Sequence, residues 1–274
     1  RRDIPVALRR WRKALLKAAT WQNVTASRQD LQRDAYDIVL DTQGLVKSAV
    51  LVSQTRLTPG GRRCGYAAEA AREPLAARFY NATFAIPKNV HAVERNRWLA
   101  AAACGYAPDL PLDYGLSGLA PLAPNTWFAG GRYAVLLTAT SRDDKLWPEE
   151  RWRALMDALA GQGLHCILPL ERERARRLAS AAGDRMATVA PPLAIAELAG
   201  LCAGAEVVIG VDTGLTHLAT ALGRPTLALF CASNPSLTGV YAGDPPTSRV
   251  LNLGAAGAPP TAEAVVAAAL AMLR

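Results

Sequence analysis

Hydrophobic and polar residues alternate with a regular spacing from residue 132 to the end of the chain. Short, continuously apolar runs are separated by longer segments in which apolar residues recur every three or four positions. The runs are typical of strands buried on both faces, and the segments between them are typical of amphipathic helices. The pattern therefore predicts a parallel sheet covered by helices on both faces, as in doubly wound nucleotide-binding domains.

The strands of this sheet are expected at residues 133–137, 165–168, 187–190, 206–211 and 226–231. The helices are expected at residues 149–160, 172–182, 195–203, 214–222 and 261–273. Pro148 suits the first position of the first helix. Thr261 is the predicted N-cap of the last helix, with Glu263 in its first turn.

The pattern before residue 132 is less regular. Helices are expected at 8–20, 45–53 and 92–103, and a strand at 36–41. The Gly- and Arg-rich residues 57–68 are typical of a loop, so only one strand is predicted before residue 60 and the first domain is expected to be incomplete. The Pro-rich residues 108–124 are interpreted as a linker between an N-terminal domain, 1–115, and a C-terminal domain, 125–274, with a ligand site in the cleft between them.

Composition favours a soluble, cytosolic protein. The chain is 51% hydrophobic and 20% charged, and no apolar run approaches the roughly 18 residues of a transmembrane segment. Its start, Arg1-Arg2-Asp3, does not resemble a signal peptide. The five cysteines are isolated, which favours buried free thiols over disulfides. The three histidines lack metal-ligand spacing, so neither a metal site nor a cofactor is expected.

Positive charge is concentrated at the start of the chain. The net charge is +8, and residues 1–17 supply most of it. The basic side chains there are Arg1, Arg2, Arg9, Arg10, Arg12, Lys13 and Lys17, against Asp3 alone. Such a block suits a phosphate, a nucleic acid or an anionic membrane surface, and it equally suits a solvated helix face. Trp11 is the only aromatic residue within the block and no nucleic-acid module is recognisable, so nucleic acid is not an expected partner.

Residues 138–150 carry the strongest chemical signal. They follow a predicted strand and lead into a helix, which is where open α/β sheets bind ligands. The hydroxyls of Thr140 and Ser141 can donate to phosphate oxygens, and Lys145 can neutralise them. Phosphate binding is favoured here over the alternative, helix capping followed by a solvated charge cluster.

Residues 210–217 have the same position after another predicted strand. The turn contains Gly214, and the free amides of the following helix can form an anion site. Asp212 can accept from sugar hydroxyls, and His217 lies one turn into the helix, where a packing role is the alternative. A weaker candidate is residues 41–48, which can equally be a structural turn with Gln43 and Lys47 facing solvent.

Together these segments resemble glycosyltransferase family 9, the heptosyltransferases of lipopolysaccharide synthesis. The matching stretches lie between residues 4 and 241 in the family's order: IPVALRRWRKA, YDIVLDTQGLVKSA, AREPLAARFYN, HAVER, TSRDDKLWPEERW, ERERARRLA and VDTGLTHLATALGRPT. Each stretch is weak alone, but the ordered set is specific. The stretches DTQGLVKSA and RRWRK resemble the enzymes that add the first heptose more than those that add the second.

The resemblance implies a GT-B fold with an N-terminal acceptor domain and a C-terminal donor domain, both doubly wound. It implies transfer of L-glycero-D-manno-heptose from ADP-heptose to Kdo of Kdo2-lipid A, with inversion and without metal, at the cytoplasmic face of the inner membrane. The implied donor-binding residues are Thr140, Ser141, Lys145, Glu171, Leu193, Asp212, Thr213, Gly214 and His217. The implied acceptor-binding residues are Arg9, Arg10, Arg12, Lys13 and Arg72.

The sequence departs from the family's pattern in two places. The family begins with a strand and a Gly-Asp loop that carries the catalytic aspartate, and no residue here precedes Arg1. The chain is therefore expected to lack this base, since Asp41 and Asp212 follow other strands, and to bind donor while transferring heptose negligibly. The loop before Glu171 is also shorter than in the family. The alternatives are a related heptosyltransferase with another core acceptor and a non-catalytic nucleotide-sugar-binding fragment.

Overall fold

The computed structural model describes residues 28–116, 118–140, 142–169, 172–182, 186–243, 246 and 249–274. The chain divides into two units, one that ends at Leu110 and one that spans Pro111–Arg274. The helix predicted at 8–20 lies outside the described residues. Part of the Pro-rich stretch is tied to the second unit, where the Tyr114 hydroxyl donates to the carbonyl of Tyr241 (2.7 Å).

The first unit contains a three-stranded parallel sheet in the order β1-β2-β3. Its strands are β1 (Ala35–Leu40), β2 (Arg56–Tyr66) and β3 (Ala82–Phe84). Its helices are α1 (Val46–Ser53), a 3-10 helix (Pro74–Phe79) and α2 (Ala92–Cys104), and residues 28–33 are also helical. Tyr66, Ala70, Ala71 and Leu99 form its main buried cluster, together with partly buried side chains.

The prediction of a loop at residues 57–68 is wrong, because most of these residues belong to strand β2. Tyr36 pairs with Leu57 but Ile38 pairs with Arg62, so residues 58–61 bulge out of the ladder. The bulge accommodates a proline and two glycines, and pairing with strands on both sides outweighs their low strand propensity. Two strands therefore begin before residue 60, where one was predicted.

The second unit is built on a six-stranded parallel sheet in the order β6-β5-β4-β7-β8-β9. Its strands are β4 (Tyr133–Leu137), β5 (His165–Leu168), β6 (Ala187–Val189), β7 (Val207–Val211), β8 (Thr226–Phe230) and β9 (Val250–Gly254). Its helices are a 3-10 helix (Asp143–Lys145), α3 (Glu149–Ala160), α4 (Arg172–Ala182), α5 (Ile195–Ala203), α6 (Gly214–Ala221) and α7 (Ala262–Met272). Except for β9 and the 3-10 helix, which were not predicted, these elements match the prediction to within one residue at each end.

Consecutive residues of β4 pack into different hydrophobic clusters. Leu136 packs in a buried cluster with Trp152 of α3, whereas Leu137 packs in a second cluster with Leu201 of α5. Helices therefore cover both faces, which confirms the doubly wound prediction for this sheet.

Three local predictions can be compared with the structure. Thr261 is confirmed as the N-cap of α7, with its side chain accepting from the Ala264 amide. Pro148 is the N-cap of α3 and not its first residue. All five cysteines are free, but Cys104 is exposed, so the prediction of burial is wrong at that position.

Candidate functional site

Three loops meet at one edge of the second sheet. All six strands are parallel, so their carboxyl ends lie at the same edge. Residues 138–145 follow β4, Asp212 follows β7 and Ser233 lies shortly after β8, and these strands are neighbours in the sheet. Open α/β sheets bind their ligands beyond this edge.

The backbone around Lys145 is anchored to the core. Lys145 ends its 3-10 helix, where its amide donates to the carbonyl of Arg142 (3.1 Å). Two residues later Trp147 is fully buried, and its indole N–H donates to the carbonyl of Pro260 (2.9 Å). The Arg174 guanidinium in turn donates to the carbonyl of Trp147 (2.6 Å). The loop therefore presents the lysine side chain from a fixed position.

Asp212 contacts three other side chains of the site. The Lys145 ammonium donates to Asp212 Oδ2 (2.6 Å), and the Ser233 hydroxyl donates to the same oxygen (2.7 Å). His217 Nε2 lies 3.8 Å from Oδ1, which is an ion-pair distance and too long for a hydrogen bond. The side chains of Asp212 and Lys145 are only 16% and 20% exposed, so this pair is screened less by solvent than an ordinary surface salt bridge.

These neighbours hold the pKa of the Asp212 carboxyl well below its ordinary value. His217 lowers this pKa most, burial acts in the opposite direction, and Lys145 and Ser233 add to the lowering. Asp212 is therefore a carboxylate at neutral pH, with acceptor oxygens only. Because Oδ2 already accepts two hydrogen bonds, Oδ1 is the oxygen available to a hydroxyl of a ligand.

The N-terminus of α6 adds backbone donors next to Asp212. Thr213 is its N-cap, and the Thr213 carbonyl accepts from the amide of Thr216 (3.0 Å). The amides of Gly214 and Leu215 have no acceptor among the residues that the structure describes. A Cβ at Gly214 would meet no atom within 4 Å, so the space beside it is open. Free amides at a helix N-terminus attract anions, phosphates in particular.

A glycine in β7 sets the position of α6. A Cβ at Gly210 would lie 2.3 Å from Thr216 Oγ1 and 2.9 Å from the Cβ of Leu137. The Thr216 side chain is buried, and its hydroxyl donates to the carbonyl of Val211 (2.8 Å). The start of α6 is therefore tied directly to the end of β7, on both sides of Asp212.

The structure brings some of the implied donor-binding residues into contact and separates others. Lys145, Asp212 and His217 form one network, with Thr213 and Gly214 at the adjoining helix start. Thr140 is half-buried at the same edge. Leu193 follows β6, which is separated from β4 by β5, and packs against the core cluster that contains Leu201. Ser141 and Glu171 lie outside the described residues.

Only one of the residues that the resemblance implies for acceptor binding is among the described residues. Arg72 is exposed in the first unit, just before the 3-10 helix Pro74–Phe79. The remaining members, Arg9, Arg10, Arg12 and Lys13, lie outside the described residues.

The Asp41 side chain is held by hydrogen bonds from neighbouring residues of the first unit. Its buried carboxylate accepts from the amides of Gln43 (2.8 Å) and Gly44 (3.4 Å) and from the hydroxyl of Tyr80 (2.7 Å). The side chains of Gln43 and Lys47 are exposed. These contacts match the interpretation of residues 41–48 as a structural turn.

Ser233 is the site residue that the sequence pattern missed. Its only signal is a position shortly after a predicted strand, and its nearness to Asp212 depends on β8 pairing with β7. Within the described part of the chain, no group of three or more His, Cys, Asp or Glu side chains is placed to hold a metal ion. No helix in that part is both long and apolar enough to cross a membrane.

Comparison with known proteins gives consistent matches. The model of glycosyltransferase family 9 (heptosyltransferase) matches residues 24–259. The chain is 46% identical over 245 residues to lipopolysaccharide heptosyltransferase 1 of Escherichia coli (strain K12), which covers 88% of this chain and 75% of that protein. Lipopolysaccharide heptosyltransferase 1 of Pseudomonas aeruginosa is 44% identical over 250 residues, covering 88% of this chain and 67% of that protein.

A solved structure is similar over almost the whole chain. The E. coli heptosyltransferase WaaC with ADP has a TM-score of 0.81 and 39% identity, covering 99% of this chain and 84% of that chain. The same enzyme was also solved with ADP-2-deoxy-2-fluoro heptose. Together with the two parallel sheets, this match confirms the α/β fold of the GT-B class.

Proposed function

The chain belongs to glycosyltransferase family 9, the heptosyltransferases, and from this premise we propose that it transfers L-glycero-D-manno-heptose from ADP-heptose to Kdo of Kdo2-lipid A. One observation carries the proposal: an ammonium, a carboxylate and free helix amides converge at the carboxyl edge of the second sheet. A diphosphate requires positive charge and amide donors, whereas a sugar requires hydrogen-bond acceptors. The site supplies both.

The second unit is the donor domain in this proposal. The Lys145 ammonium and the amides of Gly214 and Leu215 bind the diphosphate, and Asp212 Oδ1 accepts from a hydroxyl of the heptose. Leu193 supplies an apolar surface for adenine. The remaining donor contacts are assigned to Thr140, Ser141, Glu171, Thr213 and His217.

These groups also suit the bond that breaks. As the anomeric carbon separates from the diphosphate oxygen, negative charge develops on the departing ADP. Once the donor is bound, Lys145 and the α6 amides lie beside this charge and stabilise it, which lowers the barrier. We therefore propose that the transfer needs no metal ion, and that it inverts the anomeric configuration as the family resemblance implies.

The acceptor hydroxyl must lose a proton to a base as it attacks. We assign the role of this base to neither Asp41 nor Asp212. Asp41 already accepts three hydrogen bonds, and Asp212 is paired with Lys145.

The first unit is the acceptor domain in this proposal. Guanidinium groups bind phosphates and carboxylates in pairs of hydrogen bonds, which suits the phosphates and acidic sugars of Kdo2-lipid A. The side chains assigned to this contact are Arg9, Arg10, Arg12, Lys13 and the exposed Arg72. Because the acceptor is a membrane lipid, we place the protein at the cytoplasmic face of the inner membrane as a peripheral protein.

A transfer assay tests the function. The full-length protein is incubated with ADP-heptose and Kdo2-lipid A, with and without EDTA, and the lipid is analysed by mass spectrometry. We expect the mass of one heptose to be added, and we expect EDTA to leave the rate unchanged. Transfer only to an acceptor that already carries heptose would contradict the acceptor assignment, and loss of activity in EDTA would contradict the metal-free mechanism.

A further inference from the structure

The hydroxyl of Ser233 shares an oxygen of Asp212 with Lys145. Ser233 Oγ lies 2.7 Å from Asp212 Oδ2, and Lys145 Nζ lies 2.6 Å from the same atom. Among the residues that the structure describes, only His217 contacts the opposite oxygen, Oδ1, at the longer distance of 3.8 Å. Two donors therefore fix one side of the carboxylate, and the other side is left for a ligand.

The two donors respond differently to an arriving diphosphate. Lys145 is a cation on a flexible four-carbon stem, so the greater negative charge of a diphosphate attracts its ammonium away from the carboxylate. Ser233 is neutral and short, so a diphosphate attracts its hydroxyl much less strongly than it attracts the Lys145 ammonium. Once Lys145 has turned to the phosphates, Ser233 is the donor that still restrains the Asp212 side chain.

The loop that carries Ser233 is itself restrained. At its start the carbonyl of the buried Cys231 accepts from the amide of Gly257 (2.9 Å). Just after Ser233, the side chain of Asn234 accepts from the amide of Ser236 (2.9 Å). The serine hydroxyl is therefore offered to Asp212 from a fixed backbone.

We propose that Ser233 is a positioning residue of the donor site, which keeps Asp212 Oδ1 directed at the sugar while Lys145 binds the diphosphate. The inference rests on the proposed function, because it requires that Asp212 recognises a hydroxyl of the heptose. Ser233 would then strengthen the binding of ADP-heptose but not of ADP, since only ADP-heptose carries the heptose hydroxyl that Asp212 would bind.

Calorimetric titration of the full-length protein with ADP and with ADP-heptose tests this role. In Ser233→Ala we expect ADP-heptose to bind about tenfold more weakly, as for one lost hydrogen bond to a charged group, and ADP affinity to change by less than about twofold. Ser233→Thr retains the hydroxyl and should restore most of the ADP-heptose affinity. The matched control is Ser236→Ala, which removes the same atom from the same loop at an exposed position and should bind both ligands like the wild type.

Unchanged ADP-heptose affinity in Ser233→Ala would overturn the inference. An equal loss for ADP and ADP-heptose would also overturn it, because the serine would then support the diphosphate site or the loop and not the sugar contact. Failure of the wild-type protein to bind ADP-heptose, with ADP binding retained, would instead contradict the proposed function on which the inference depends.

Discussion

At the residue scale, the opposite charges of Lys145 and Asp212 are paired with each other. Their side chains lie 2.6 Å apart and are both largely buried. A hydrogen bond to a charged group contributes about 1.5–3 kcal/mol, so neither group would remain there unpaired without a similar cost. In the proposed donor site, binding of a diphosphate would exchange one anionic partner of Lys145 for another, while Ser233 and His217 stay with Asp212. After this exchange Asp212 keeps the hydrogen bond from Ser233 and the longer contact with His217.

Replacement of Lys145 tests this exchange. In Lys145→Ala we expect ADP to bind at least about tenfold more weakly, or about 1.4 kcal/mol, because one charge-assisted contact is lost. Isothermal titration calorimetry measures the affinity. Lys47→Ala is the control, since it removes an exposed lysine from α1 in the other unit and should leave ADP binding unchanged. Wild-type affinity in Lys145→Ala would remove this lysine from the donor site.

At the scale of elements, the sequence pattern predicts strands well where they are buried on both faces. Strands β4, β7 and β8 are buried along their whole length, so an apolar run marks each of them. Strand β2 has no such run because arginines, a proline and glycines occupy it. Its Arg63 guanidinium donates to the carbonyls of Val52 (3.1 Å) and Thr55 (2.6 Å) near the end of α1. A side chain that the pattern assigns to solvent therefore supplies hydrogen bonds to carbonyls at the end of a helix.

The close approach of β7 and α6 is testable at Gly210. In Gly210→Ala the new methyl group would collide with the Thr216 hydroxyl and with Leu137, so α6 and its N-terminal amides must shift. We expect the free energy of unfolding to fall by about 1–3 kcal/mol, with weaker ADP binding in the folded protein. Chemical denaturation and calorimetry measure the two effects.

The control for that substitution is Gly161→Ala in the same unit. Gly161 has an ordinary αR conformation, and its new Cβ would meet its nearest atom at 3.4 Å, which is normal contact. We expect its stability to stay within about 0.5 kcal/mol of the wild type. If Gly210→Ala were as stable and as tightly binding as Gly161→Ala, the close packing would not determine the site.

At the scale of the whole molecule, the proposed donor site depends on both local sequence and the order of distant strands. The segments that carry Lys145 and Asp212 could be predicted because each strand, loop and helix start is contiguous in the chain. That these two residues and Ser233 meet depends on β4, β7 and β8 being neighbours, and this strand order arises from packing among distant parts of the chain. For the same reason nothing in the local sequence around Ser233 indicated its contact with Asp212.

A crystal structure of the full-length protein with ADP-heptose tests the central claim most directly. We predict that the diphosphate lies within hydrogen-bond distance, about 2.7–3.2 Å, of Lys145 Nζ and of the amides of Gly214 and Leu215. Asp212 Oδ1 should accept from a heptose hydroxyl while Oδ2 keeps its hydrogen bond from Ser233. A diphosphate bound away from the N-terminus of α6, with Lys145 still paired to Asp212, would contradict the assignment of this edge of the sheet as the donor site.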